Sequence, residues 1–308
     1  MPTHHFETVD VFTAQRFGGN PLAVFPDAAR LSDRQMQQLA TEFNLSETTF
    51  VLPPAQSGHT ARVRIFNRTH EMPFAGHPMV GTAFVLARGG AHGRDRYQFE
   101  VPAGVVTVRL SYADGQVQGA EIDAPQALAL GVTLDPAEIA RCVGLLPGDV
   151  SVSHHPPTLA TVGNTYVIAE VEAARLDAAV PDLARFRRLL DQSPGLAGRF
   201  SLYLYARTGE STLAARMFAP LVGTHEDPAT GSAATPLAAL LLSLSARERA
   251  AFDIHQGVKM GRPSLLRATA WRSPDGIRAS VGGACVPVLV GEAMLDADGS
   301  ASPVIAGA

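Results

Sequence analysis

Glu71-x-Pro73-x-x-Gly76-His77 and Glu226-x-Pro228-x-x-Gly231-Ser232 are one motif written twice, about 150 residues apart. In each copy a glycine turn leads into an apolar run rich in Ala, Leu and Val, so the motif ends where a helix begins. The first N–H groups of a helix have no partner within it and lie at the positive end of its dipole. Such an end binds carboxylate or phosphate. One copy alone reads as an ordinary capped helix, because Ser is a common N-cap and Pro a common first residue. Two copies in register point two anion-binding ends at one cleft. Gly76, Pro78, Gly231 and Ser232 are therefore candidate substrate-binding residues.

Three titratable side chains stand near these turns. His77 has an ordinary pKa near neutrality and can serve as general acid or base. Asp227, just before Pro228, can orient a histidine, hold a substrate amine, or simply favour a helix start by its charge. Glu47 lies in Asn44-Leu45-Ser46-Glu47-Thr48-Thr49-Phe50, at the head of a strand that runs into the core. Beside Phe50 and Val51 its carboxyl would be desolvated and its pKa raised, which suits a proton shuttle. From local sequence alone, an exposed Glu at a strand start is the commoner case. The matching stretch of the second half, 195–200, offers Arg199 and no acid, so a site built on Glu47 has one dominant carboxylate and is not symmetric.

Other chemistries find little support. The chain has no Walker-type phosphate loop and no strand-linked dinucleotide fingerprint. Ser232 lacks the Gly-x-Ser-x-Gly elbow of an esterase. His154-His155 resembles a metal pair, but neighbours on a strand point to opposite faces, so the pair reads as surface.

Periodicity supplies the elements that must carry these residues. Strand patterns cover 6–12, 22–25, 97–101, 105–110 and 117–122, and the runs 48–52 and 60–66 alternate like half-buried strands. Ser32 reads as the N-cap of a helix over 32–43, and 79–87 is the first motif helix. After a loosened stretch at 125–133, helices are expected over 135–143, 183–190 and, for the second motif, 233–242. Strands are expected over 158–169 (turning at Gly163-Asn164), 202–205, 213–218, 252–255, 264–271, 277–281 and 286–295, with the last nine residues frayed. Strands come in runs rather than in strict βαβ alternation, which argues α+β. A period this long is not a solenoid repeat. It argues two similar domains, 1–125 and 126–308, with the last strand able to return to the first.

Composition narrows the partners. At 308 residues, with 46% hydrophobic and 18% charged residues, the chain is an ordinary globular protein that can bury a large core. A net charge of −4 without a basic cluster argues against nucleic acid and anionic membrane. No apolar run is long enough to span a membrane, and the N-terminal residues do not read as a secretory signal. Cys142 and Cys285 give neither metal spacing nor a disulfide framework, so a reduced, cytoplasmic setting is expected.

The segments VDVFTAQRFGGNPLAVF, NLSETTFV, PFAGHPMVGTA, GNTYVIA, RMFAP, EDPATGSA and HQGVKMGRPS, in order from Val9 to Gly261, resemble the PhzF family of phenazine biosynthesis. The resemblance implies a diaminopimelate-epimerase-like fold: two pseudo-symmetric α+β domains, each a β-barrel-like sheet around a central helix. It implies a homodimer, no cofactor, and a site between the domains for a small carboxylate-bearing substrate. The family activity it brings is isomerisation of trans-2,3-dihydro-3-hydroxyanthranilate by proton transfer. On that pattern Glu47 moves the proton, His77 and Asp227 assist and bind substrate, and Gly76 and Ser232 meet its polar groups. Related epimerases and proline racemases carry a cysteine at each helix start. Here those positions hold His77 and Ser232, so two-thiol racemisation is not expected. Two rivals remain at this level: an epimerase or racemase pairing Glu47 with His77 or Asp227, and a non-catalytic binding protein on the same scaffold.

Overall fold

The computed structural model describes residues 3–90 and 94–296; the C-terminal stretch expected to fray lies outside them. The first half runs β1 (Thr3–Val11), β2 (Asn20–Phe25), α1 (Asp33–Phe43), β3 (Thr48–Leu52), β4 (Ala61–Phe66), β5 (Glu71–Met72), α2 (Gly76–Arg88), β6 (Arg96–Val101), β7 (Gly104–Ala113) and β8 (Gln116–Asp123). The second half begins with β9 (Ala129–Thr133), α3 (Pro136–Cys142), β10 (Val150–Ser151), β11 (Thr158–Thr161), β12 (Thr165–Val171), α4 (Ala173–Ala178) and α5 (Leu183–Gln192). It ends with β13 (Leu202–Arg207), β14 (Thr212–Ala219), β15 (Thr224–Asp227), α6 (Gly231–Ser243), β16 (Arg249–Gln256), β17 (Ser264–Ser273) and β18 (Gly276–Met294). The α+β class and the two pseudo-symmetric barrels expected from the sequence are what the chain forms.

Pairing closes two circuits. In the first, β1, β2, β3, β4, β6, β7, β8 and β18 follow one another, and β18 pairs back onto β1. Two of its steps are parallel, β2–β3 and β4–β6, and each is bridged by a crossover holding a helix, α1 and α2. The second circuit repeats the plan with β11, β12, β13, β14, β16, β17 and β18. Its parallel steps, β12–β13 and β14–β16, are crossed by α4–α5 and by α6. β9 pairs with β11, and the backbone bonds Ala124 N–H to Ala279 and Leu128 N–H to Ile277 carry the ring round to β18.

α2 and α6 are the two central helices. Nearly every side chain of each is buried, and a helix apolar on all sides belongs inside a core. Gly81 lets α2 approach the wall: a Cβ there would stand 2.6 Å from Leu22 and 2.8 Å from Val11. α1, by contrast, lies outside its barrel. Ser32 and Gln35 form a reciprocal capping box at its start, and Asn44, left-handed at φ 51°, ends it. Its Met36 and Leu39 pack on Phe25, Phe50 and Phe66. That cover corrects the half-buried reading of 48–52, because β3 is buried along its whole length, inside by the barrel core and outside by α1.

A second correction concerns the end of the chain. The strands expected over 277–281 and 286–295 are one strand, β18, whose first part belongs to the second barrel and whose last part closes the first. Gly282-Gly283 reads as a break, yet glycine here serves close approach. β8 and β18 come so near that a Cβ on Gly119 would lie 2.0 Å from the Gly283 carbonyl oxygen.

Candidate active site

The duplicated glutamates are not the chemistry. Glu71 takes a two-pronged bond from Arg64, with Nε to Oε1 at 2.7 Å and Nη2 to Oε2 at 2.5 Å. Glu226 takes the same from Arg216, both at 2.8 Å. Each guanidinium also lies over a phenylalanine, Arg64 on Phe66 at 5.0 Å and Arg216 on Phe218 at 4.8 Å. The repeat thus fixes each motif turn to its barrel wall and leaves the helix starts beyond it to face the cleft.

Neither helix start is capped by a side chain: the N-cap positions are Ala75 and Thr230. Among the described residues, no protein group accepts a hydrogen bond from the N–H of Gly76, His77, Gly231 or Ser232. A Cβ on Gly76 would sit 3.8 Å from the backbone nitrogen of Ser232, so the two ends oppose each other. Between them opens a cleft of about 570 Å³, whose walls include Glu47, Gly76, His77, Asp227, Gly231 and Ser232. An adjoining recess of about 310 Å³, walled by Phe74, Ile122, Val162 and Val281, shares the same helix starts. Pro78 does not line either space. It is buried in the first turn of α2, where a missing N–H leaves no helical bond unmade.

The titratable groups meet here. Glu47 Oε2 stands 3.5 Å from His77 Nε2, with 15% of the Glu47 side chain and 7% of His77 exposed. Both atoms are buried without a hydrogen-bond partner. Burial first, and then the charge of Asp227, push the Glu47 carboxyl up to about 8, against an opposing pull from Arg68. Burial pushes His77 down to about 3, so its imidazole is neutral. Asp227 is raised to about 6 by burial, while hydrogen bonds from Thr230 and Asn20 pull the other way. The cleft thus brings together a neutral imidazole and two carboxyls whose pKa values burial has raised toward neutrality, groups whose chemistry is proton transfer.

Several side chains around the cleft carry no role in the sequence reading, although Asn20, Asn164, Tyr166 and Thr230 lie within segments that carry the family resemblance. Asn20 donates to Asp227 Oδ1 at 3.0 Å, and Thr230 Oγ1 donates to Asp227 Oδ2. Tyr166 OH lies 2.7 Å from Ser232 Oγ, which sets a hydroxyl pair at the start of α6. Asn164 lines both the cleft and its recess. A local clue is that Asn20 and Asn164 each follow a glycine ahead of a strand. His155 also departs from expectation: it is buried, stacked on Tyr205, and bonded to that phenol at 2.9 Å. Cys142 and Cys285 lie in α3 and β18, and neither lines the cleft or its recess. Among the described residues, no group of three or more His, Cys, Asp or Glu is placed to hold a metal ion, and no helix is long and apolar enough to cross a membrane.

Two barrels with opposed helix starts and buried carboxyls between them define an isomerase of the epimerase-like α+β class. Residues 9–291 match the family model described as phenazine biosynthesis-like protein, and the chain belongs to that PhzC-PhzF family. It is 39% identical over 273 residues to the trans-2,3-dihydro-3-hydroxyanthranilate isomerase of Pseudomonas aeruginosa, covering 87% of this chain and 90% of that one. It is 40% identical over 284 residues to a protein of Mesorhizobium japonicum described as an uncharacterized isomerase, with the same coverage. A PhzF-family protein of Bacillus anthracis superposes with a TM-score of 0.85 at 23% identity, over 96% of this chain and all of that one. A hydroxyproline epimerase of Agrobacterium vitis shares the fold at a TM-score of 0.62 and 10% identity, over 95% and 91% of the two chains.

Proposed function

We propose that this isomerase moves a proton within a small carboxylate-bearing metabolite, with Glu47 as the group that carries it. The observation behind this reading is the Glu47 carboxyl, buried in the cleft 3.5 Å from a neutral His77 and facing two uncapped helix starts. The substrate carboxylate sits against the N–H groups of Gly76, His77, Gly231 and Ser232, where the helix dipoles favour negative charge. Asp227 holds an amine or other cationic group of the substrate. Glu47, once ionised, removes a proton from an activated C–H and returns it to a different carbon. His77 stays neutral and steadies the carboxyl through the transfer, and no cofactor takes part.

The identity to the Pseudomonas aeruginosa enzyme supports trans-2,3-dihydro-3-hydroxyanthranilate as the first substrate to try. The reading also holds that the chain divides into domains at residues 125 and 126, works in the cytoplasm, and forms a homodimer. Leu289, Val290 and Met294, exposed on β18, support a second copy as partner, and sedimentation velocity checks it. Proton NMR in D2O with that substrate tests the chemistry. Conversion with deuterium uptake by the wild type, absent in Glu47→Gln, is the expected result. Turnover by Glu47→Gln at the wild-type rate would remove Glu47 from the mechanism.

A further inference from the structure

Asn20 and Asn164 hold matching places, each one residue after a glycine at the head of the second strand of its barrel. Asn164 lines the cleft. Asn20 does not: it is 1% exposed, and its whole carboxamide is engaged. Nδ2 donates to Asp227 Oδ1 and to the Ala229 carbonyl, both at 3.0 Å, while Oδ1 accepts from Ser46 Oγ at 3.2 Å. The carbonyl can only accept, and so can the ionised carboxylate, so these partners set the orientation of the amide. One side chain joins β2, the turn that carries Glu47, and the lead-in to α6.

Asp227 is held by neutral donors alone. Its other oxygen accepts from Thr230 Oγ1, which in turn receives Gln256 Nε2 at 3.0 Å. Gln256 also donates to the Asp227 carbonyl at 2.8 Å and accepts from Tyr203 OH at 3.0 Å. The other titratable groups around Asp227 are Glu47, Glu226 (paired with Arg216) and the phenols of Tyr166 and Tyr203, with His77 beyond Glu47. Among the described residues no cation pairs with it, so the charge of this carboxylate depends on its two hydrogen-bond donors.

We propose that Asn20 is a positioning residue that keeps Asp227 ionised and fixed against the turn bearing Glu47, so that the two carboxyls face the substrate as one prepared pair. The inference rests on the reading of Asp227 as a substrate-binding group. Asn20 itself touches no reacting atom.

Asn20→Ala and Asn20→Leu test it, by thermal unfolding between pH 4 and pH 8 and by kcat/KM over the same range. Asn20→Leu keeps the approximate size of the side chain and removes both donors without adding a group that titrates. A carboxyl whose folded pKa is raised gives stability that is complete below its unfolded value and lost as pH rises through the folded one. For wild-type Asp227 that window runs from 3.8 to about 6. Without the Asn20 donor the loss continues above it. Each variant is therefore expected to show a Tm deficit that widens with pH, and the acid limb of its kcat/KM moves up by about one unit, roughly tenfold in ionised fraction. A deficit that is the same at every pH, with the limb unmoved, makes Asn20 a structural strut and overturns the proposal. If neither variant folds at pH 7, folding at pH 4, where Asp227 is protonated, supports it, and failure at both pH values overturns it. If the wild type does not turn the substrate over, the isomerisation reading fails, and the Tm series still decides the role of Asn20.

Discussion

The two barrels share a frame and differ in almost every residue that faces the cleft. Strand registers align them: Thr48 pairs with Phe66 in one, Leu202 with Phe218 in the other. The same alignment sets Arg64 and Glu71 against Arg216 and Glu226. At the site the correspondence breaks. Glu47 falls opposite Ser201, Met72 opposite Asp227, and His77 opposite Ser232. On the proposed reading, the two helix ends hold an anion between them, while Glu47 on one side carries the proton and Asp227 on the other holds the charge. A racemase needs a base on each face of its substrate. One buried Glu beside one His suits a shuttle that picks up and returns a proton on a single face.

Glu47 is where that asymmetry is most easily broken. Glu47→Gln is expected to lower kcat by ~10²–10⁴-fold, the usual contribution of a general acid–base group. Adding Ser201→Glu to it should restore nothing, because the second barrel has no imidazole at its helix start. Any recovery in the double variant would mean the halves are interchangeable. The stability of the same variant carries its own sign. Glu47 is raised from 4.5 to about 8, so its contribution is complete below 4.5 and lost as pH rises through 8. Glu47→Gln escapes that loss, and its Tm relative to wild type should climb across the window.

The arginine clamps are the shared part, and they differ in depth. Arg216 is 9% exposed and also donates to the carbonyls of Leu176 and Ala179 at 2.9 and 2.7 Å, tying down α4. Arg64 is 18% exposed, and its additional partner Asp33 is 83% exposed. Breaking a buried pair from one side costs about 3–5 kcal/mol, whereas an exposed partner adds little. Urea unfolding of Arg216→Met should therefore show the larger loss, with Arg64→Met roughly half of it or less. Equal losses would place the two clamps in the same environment.

How far the sequence reveals all this depends on where each partner lies. Glu47, His77 and Asp227 stand in contiguous motifs, and the helix starts announce themselves through glycine and small residues. The duplicated Glu71 and Glu226 draw equal attention, yet only the bidentate geometry shows that arginine holds them. Asn20 meets Asp227 across 207 positions, a contact between the two barrels, and Tyr166 meets Ser232 across 66, a contact that exists only once the second barrel has closed. β18 is misread as two strands for the same reason. Its glycines mark where two sheets touch, which is a tertiary fact.

Asp227 sharpens the comparison through pH. It couples to Glu47, so the two carboxyls titrate as a pair, and kcat/KM should rise in two steps, near 6 and near 8. Asp227→Asn removes the lower step and, by deleting a neighbouring negative charge, moves the upper one toward lower pH. The lost charged contact should lower kcat/KM by about ten- to a hundredfold, the equivalent of 1.5–3 kcal/mol. An unmoved upper step would show that Asp227 and Glu47 act independently.

The smallest expected effect tests a single hydroxyl. Tyr166 occupies the register place that Leu22 holds in the first barrel, so Tyr166→Phe makes the two walls more alike without opening a cavity. It removes only the contact to Ser232 Oγ at 2.7 Å. A neutral hydrogen bond contributes about 0.5–1.5 kcal/mol, a factor of roughly two to twelve in rate. Because Ser232 faces the cleft, the loss should fall on kcat/KM while the Tm stays close to that of the wild type. If Tm falls and kcat/KM holds, the hydroxyl pair belongs to the frame that the barrels share. If kcat/KM falls alone, even the neutral hydrogen bonds of the second barrel have been recruited to the reaction, and the asymmetry extends beyond the three titratable side chains.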